Sequence, residues 1–97
     1  MVKLQSQLYV NTGLNRLVHQ KSDRTSVSFF NNHATSILYI GTDRSLTIAN
    51  GFPIMPQTGY SFNQGLGDQP ELEYFGRSNT GLIDVRIMEA EAKKEGV

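Results

Sequence analysis

The stretch Leu82-Ile83-Asp84-Val85-Arg86-Ile87-Met88 carries the strongest fold signal in the chain. Branched apolar residues take every second position, and the charged Asp84 and Arg86 stand between them. Successive side chains of a β-strand point to opposite faces of the sheet. This period of two therefore predicts a strand with one face in a hydrophobic core and the other in water.

Further strand patterns occur before this stretch, separated by clusters of Gly, Pro and Asn. Residues 25–30 alternate between polar and apolar types, and residues 36–40 are apolar on both faces, which is typical of a covered strand. The turn-forming residues 31–35 predict a hairpin that makes these two strands neighbours. Shorter strands are predicted at residues 45–48, 60–63 and 71–75. We predict an all-β fold: one antiparallel β-sandwich or barrel of about seven or eight short strands.

The pattern divides the chain into three parts. Residues 1–24 are predicted as an N-terminal strand or extended arm, covering residues 2–10, followed by a polar connection or weak edge strand. Residues 25–89 are predicted as the β-sandwich core. Residues 90–97 are rich in Glu, Lys and Ala, and we expect a short solvated tail.

Composition excludes several classes of function. The 97 residues allow one domain, and nine Lys plus Arg balance nine Asp plus Glu. A zero net charge provides no field that would attract nucleic acid or an anionic membrane, so neither is expected as a partner. The chain has no cysteine, which excludes disulfides and thiolate metal sites. No apolar run approaches the roughly 20 residues of a membrane span.

Candidate catalytic and metal-binding motifs are weak. His19 and His33 stand in polar stretches without a second ligand at metal spacing. Gly65-Leu66-Gly67-Asp68 lacks the third glycine of a phosphate-binding loop, and no serine stands in a G-x-S-x-G turn. The carboxylates are scattered over predicted loops and outward strand positions. We therefore expect no enzymatic activity, no catalytic residues, no metal and no cofactor.

Four segments of the chain, in this order, resemble a known group of proteins: Ser26-Val27-Ser28-Phe29-Phe30-Asn31-Asn32, Ile37-Leu38-Tyr39-Ile40-Gly41, Leu46-Thr47 with Asn50-Gly51-Phe52-Pro53-Ile54, and Val85-Arg86-Ile87-Met88-Glu89. The order is similar to that of small β-sandwich virion accessory proteins of tailed phages. The resemblance covers residues 25–89, about two thirds of the chain. The chain departs from it in residues 1–24 and in a longer loop at residues 63–70.

This resemblance implies a capsid decoration or cement protein, made in the host cytoplasm and located on the capsid surface of the virion. Such a protein stabilises the shell by binding across subunits of the major capsid protein, or binds another virion protein. It also implies a homo-oligomer, with a trimer on a local symmetry axis as the expected form. For docking we predict the apolar positions of the N-terminal arm, Val2, Leu4, Leu8 and Val10.

A different class of function is a carbohydrate- or receptor-binding module of a phage head fibre or tail. It requires an exposed aromatic ring beside amide or carboxylate side chains on loops, and the candidates are Tyr60, Asn63, Gln64 and Asp68. A third class, a small enzyme or nucleic-acid-binding barrel, requires two carboxylates or a basic aromatic face to converge in the fold.

Overall fold

A computed structural model describes residues 2–92, and the side chains of residues 4–92. Eight strands make up about half of this part of the chain. Their bounds are β1 (Val2–Val10), β2 (Asn15–Val18), β3 (Arg24–Asn31), β4 (Leu38–Gly41), β5 (Phe52–Ile54), β6 (Gly59–Asn63), β7 (Tyr74–Ser78) and β8 (Ile83–Glu91). One turn of 3-10 helix, Gln64–Leu66, follows β6.

The strands form two four-stranded sheets in which every pairing is antiparallel. Sheet 1 has the order β1-β8-β3-β6, and sheet 2 has the order β2-β7-β4-β5. The core cluster draws buried side chains from both sheets, so the sheets pack face to face. The predicted all-β fold, an antiparallel sandwich or barrel of seven or eight strands, is confirmed, and of the two architectures the structure is the sandwich.

Strand β8 shows why the alternating pattern is informative. Ile83, Val85 and Ile87 are buried in the core between the sheets, whereas Asp84 and Arg86 lie on the outer side of sheet 1. The same alternation in β3 buries Phe29, whose ring centroid lies 5.3 Å from that of Tyr74 in sheet 2. One face of each central strand thus supplies the core that joins the sheets.

The predicted hairpin between residues 25–30 and 36–40 is wrong, because β3 belongs to sheet 1 and β4 to sheet 2. Asn31 explains the difference. Its side chain is fully buried, and Nδ2 donates to the carbonyl oxygens of Ser36 at 2.8 Å and Ile54 at 3.0 Å. These bonds hold the chain where it leaves sheet 1 and crosses to sheet 2, so its turn-forming residues make a crossover.

Two shorter strand predictions also need correction. Residues 45–48 form turns, because the Asn50 side chain accepts from the Thr47 backbone N–H at 2.8 Å and its Nδ2 donates to the Ser45 carbonyl at 3.2 Å. Such local side-chain bonds compete with a sheet ladder. The strand predicted at residues 71–75 begins only at Tyr74, after a turn.

The sandwich extends beyond the predicted core of residues 25–89. Strand β1 pairs with β8 along its whole length, and β2 is an edge strand of sheet 2. Strand β8 continues to Glu91, two residues into the predicted tail of residues 90–97. Residues 93–97 of that tail lie outside the described part of the chain.

Candidate functional site

The outer face of sheet 2 is covered by the chain itself. The loop of residues 42–51 folds over it and buries Leu46 there. Arg77 fixes the loop by donating from Nε to the Leu46 carbonyl at 2.7 Å. The approach is so close that a Cβ atom on Gly51 would lie 2.8 Å from the Cβ of Tyr39. This face is therefore packed within the domain.

The outer face of sheet 1 has a different surface. A shallow groove of about 550 Å3 crosses its four strands. We call it the sheet 1 groove; its outward-facing residues are Gln5, Gln7, Ser28, Phe30, Gly59, Ser61, Arg86 and Met88. Phe30 is 37% exposed and Met88 is 43% exposed. Two large apolar side chains thus stand in solvent among polar side chains that are neutral except for Arg86.

The strand register builds the groove as two rows of cross-strand neighbours. In one row Gln5 lies opposite Met88, which lies opposite Ser28. Ser28 continues the row to Ser61, with 2.7 Å between the two hydroxyl oxygens. In the other row Gln7 lies opposite Arg86, which lies opposite Phe30. These rows follow from alternation in four strands at once, because every second residue must face outward.

An ion pair lies at one end of the groove, where Arg86 is a lining residue. Asp84 accepts hydrogen bonds from Arg86 Nε at 3.0 Å, Asn32 Nδ2 at 3.0 Å and Gln7 Nε2 at 3.0 Å. The Arg86 guanidinium, followed by the Asn32 and Gln7 amides, holds the pKa of Asp84 well below its usual range. Asp84 stays ionised at neutral pH and is neutralised by Arg86. This geometry makes it a fixed structural charge and a poor proton donor.

Replacing Asp84 by Asn is expected to make the free energy of unfolding fall less steeply as the pH is lowered into the acidic range. The folded-state pKa lies below that of an exposed Asp, about 3.9, so the native state binds fewer protons here than the unfolded chain. The carboxylate therefore stabilises the fold above about pH 4, and this contribution is lost as the pH falls through the folded pKa. Urea unfolding of both proteins from neutral to acidic pH measures this, and two parallel curves would contradict it.

Strand β1 places the predicted docking residues differently from expectation. Val10 is completely buried and belongs to the core, and Leu8 packs against the core. Val10 is therefore wrong as a docking residue, because its alternation turns it towards the other sheet. Leu4 is 42% exposed, and Val2 pairs with Glu91 through its backbone. The side chains of β1 that face outward are instead the neutral polar Gln5 and Gln7, with Tyr9.

The predicted loop residues are only partly brought together. Asp68 Oδ2 accepts from the Asn63 backbone N–H at 2.9 Å, which closes the turn that contains Gln64. Tyr60 lies on β6, and its ring centroid is 4.9 Å from that of Phe52. A second cleft, of about 440 Å3, includes Asp68 in its lining together with Phe52.

Residues 2–92 contain few features that point to a more specific function, such as a metal site or a membrane span. Among residues 2–92, no three His, Asp or Glu side chains come close enough to hold a metal ion. His33 has a local role, since Nδ1 accepts from the backbone N–H groups of Thr35 and Ser36 at 3.1 Å and 3.0 Å. No helix in the described part is long and apolar enough to cross a membrane. Compared with protein-family models, curated proteins and solved structures, the chain matches none.

Proposed function

We propose that this chain is a non-enzymatic structural protein of a phage virion, a capsid decoration or cement protein. It docks through the outer face of sheet 1 across neighbouring subunits of the major capsid protein. The partner class comes from the resemblance in residues 25–89. The docking face comes from the geometry of the sandwich.

The observation that carries the proposal is the difference between the two outer faces. Sheet 2 is covered by residues 42–51, whereas sheet 1 exposes Phe30 and Met88 beside neutral hydroxyl and amide groups. The centres of protein interfaces are depleted of charge and enriched in aromatic residues and Met. Among residues 4–92, the charged side chains at this face are Arg86 and Asp84, which already pair with each other. The face can therefore be buried without leaving either charge unpaired.

Stabilising a shell by docking requires a large contact area and a rigid docking face. A sheet face that spans four strands keeps its shape on binding, so little conformational freedom is lost when it docks. A protein that binds the assembled shell and not its separated subunits shifts the equilibrium towards the shell by mass action. Binding across a subunit boundary stabilises the capsid in this way, without any covalent chemistry.

Met88→Asp is expected to weaken shell binding at least tenfold while the domain stays folded, because it places a charge at the centre of the docking face. Co-sedimentation with empty shells of the major capsid protein encoded by the same genome measures the binding. Leu66→Asp is the matched control, since Leu66 is highly exposed in the turn after β6 and lies outside the groove. Equal binding by the two variants would contradict the assignment of the docking face.

One observation favours a second candidate, a carbohydrate- or receptor-binding module of a head fibre or tail. The rings of Phe52 and Tyr60 are about half exposed and in contact, beside the cleft that Asp68 lines. Sugar recognition combines an aromatic surface with carboxylate and amide hydrogen bonds. Saturable binding of an oligosaccharide that is abolished in Phe52→Ala, while Met88→Asp binds normally, would favour this function over shell docking.

A further inference from the structure

Strand β1 has an unusual sequence. Its nine residues read Val-Lys-Leu-Gln-Ser-Gln-Leu-Tyr-Val from Val2 to Val10. The sequence is nearly a palindrome centred on Ser6: residues at equal distances before and after Ser6 are identical, except for Lys3 and Tyr9. An antiparallel pair of such strands places like residues opposite one another.

The free side of β1 is open to pairing. The strand is an edge strand of sheet 1, and within residues 2–92 it pairs with β8 alone. Exposed edges are usually protected by charges, prolines or bulges. β1 has one charged residue, Lys3, has no proline, and runs in unbroken register with β8. A long edge without these devices is a template for another strand.

The hydrogen-bond pattern shows which backbone groups face this edge. The Asn32 N–H donates to the Asp84 carbonyl at 2.9 Å, so the even-numbered residues of β8 bond to β3 and the odd-numbered ones bond to β1. The odd-numbered residues of β8 pair with the even-numbered residues of β1. The N–H and C=O groups of Gln5, Gln7 and Tyr9 therefore point away from β8, into the open edge.

We propose that β1 pairs with β1 of a second copy of this chain, antiparallel, about a two-fold axis at Ser6. In this register Ser6 lies opposite its own copy, and Gln5 lies opposite Gln7 of the second chain. The free N–H and C=O groups of both glutamines then bond across the axis. The two sheets join into one continuous sheet of eight strands.

Side-chain packing selects this register. Leu4, whose side chain is 42% exposed, lies opposite Leu8 of the second copy in a pair without backbone hydrogen bonds, where side chains approach most closely. A shift by two residues places each leucine opposite Ser6 or a terminal valine. A shift by one residue turns the leucines to opposite faces of the joined sheet. The observed order is therefore self-complementary in one alignment.

The joined sheet has a consequence for the docking face. A two-fold axis perpendicular to the sheet keeps the outer faces of both copies on the same side, so the two sheet 1 grooves lie next to each other. The interface is isologous and closes as a dimer. This two-fold assembly replaces the trimer that the resemblance implies, and it does not depend on the proposed capsid role.

Gln5→Pro tests the hydrogen bonds across the axis. Proline removes the outward N–H of Gln5 and leaves the ladder to β8 intact, as proline does on an edge strand. The wild-type chain is expected to have twice the mass of one chain in sedimentation equilibrium, and Gln5→Pro the mass of a single folded chain. Gln5→Thr, which keeps the N–H, is the matched control and is expected to remain dimeric. A wild-type monomer, or a dimer that persists in Gln5→Pro, would overturn the proposal.

Ser6→Cys tests the register. The chain has no cysteine, so each variant thiol is the only one in its chain. Opposed residues without backbone hydrogen bonds have Cα atoms about 4.5 Å apart, within the range of a disulfide. Mild oxidation is expected to cross-link most of Ser6→Cys and little of Leu4→Cys, whose thiols lie four positions apart along the strands. Preferential cross-linking of Leu4→Cys would exclude this axis.

Discussion

Arg24→Met is expected to destabilise the domain by about 3 to 5 kcal/mol, because it breaks a buried ion pair from one side. Arg24 is 2% exposed. Its Nε donates to Glu89 Oε1 at 2.7 Å, and its other nitrogens donate to the carbonyl oxygens of Pro70 and His19 at 3.0 Å and 2.7 Å. Methionine fills part of the space but leaves these acceptors without their donor.

Urea unfolding followed by circular dichroism measures this loss. Arg16→Met is the matched control, since Arg16 pairs with Glu73 at 2.6 Å but both side chains are about one third exposed. An exposed pair of this kind contributes about 0 to 1 kcal/mol. The double variant Arg24→Met/Glu89→Met should be more stable than Arg24→Met alone, because it removes the unpaired carboxylate. Equal losses from Arg24→Met and Arg16→Met would contradict the structural role of Arg24.

Val85→Asp is expected to unfold the domain. Val85 is fully buried at the centre of β8, and no partner for a carboxylate lies among the apolar side chains of the core. A substitution that buries an unpaired charge lowers the free energy of unfolding by more than about 4 kcal/mol. This is most of the stability of a small domain. We expect no cooperative thermal transition in circular dichroism.

Met88→Asp is the matched control for this prediction. It makes the same kind of change three residues later in the same strand, on the opposite face of sheet 1. It should keep a cooperative transition within a few degrees of the wild type, since exposed substitutions usually change stability by about 0.5 kcal/mol or less. A folded Val85→Asp would mean that β8 does not face the core.

The sequence predicted the fold class because alternation reports which side chains a strand buries. It did so well for β8 and β6, where apolar and polar positions are distinct. It did not predict which sheet each strand joins. The turn-forming residues after β3 are compatible with either a hairpin or a crossover, and the buried amide of Asn31 decides between them.

The proposed docking face was harder to predict, because alternation alone does not say which of two neighbouring apolar residues is buried. The sequence predicted that the apolar residues of β1 dock to a partner, yet Val10 is turned into the core. The exposed face arises where alternation turns apolar residues outward. In Phe29-Phe30 the first ring is buried, so the second must face solvent. That signal is present in the sequence, but it is recognisable only once the buried residue is known.

Sequence patterns do not reveal the buried position of Arg24. Arg24 appears in the sequence as one charged residue in a polar stretch. Apart from the nearby His19 carbonyl, its partners are distant in sequence: Glu89 lies 65 positions away, and Pro70 and Leu72 lie 46 and 48 positions away. Only the three-dimensional arrangement brings those acceptors around one guanidinium.

The most direct test of the proposed function is to titrate the wild-type chain onto empty shells of the major capsid protein encoded by the same genome and measure the temperature at which the shells open. We predict that binding saturates at a fixed ratio of chain to shell subunit and that the opening temperature rises as the sites fill. A chain that stays in the supernatant, or that binds and leaves the opening temperature unchanged, would contradict the cement function.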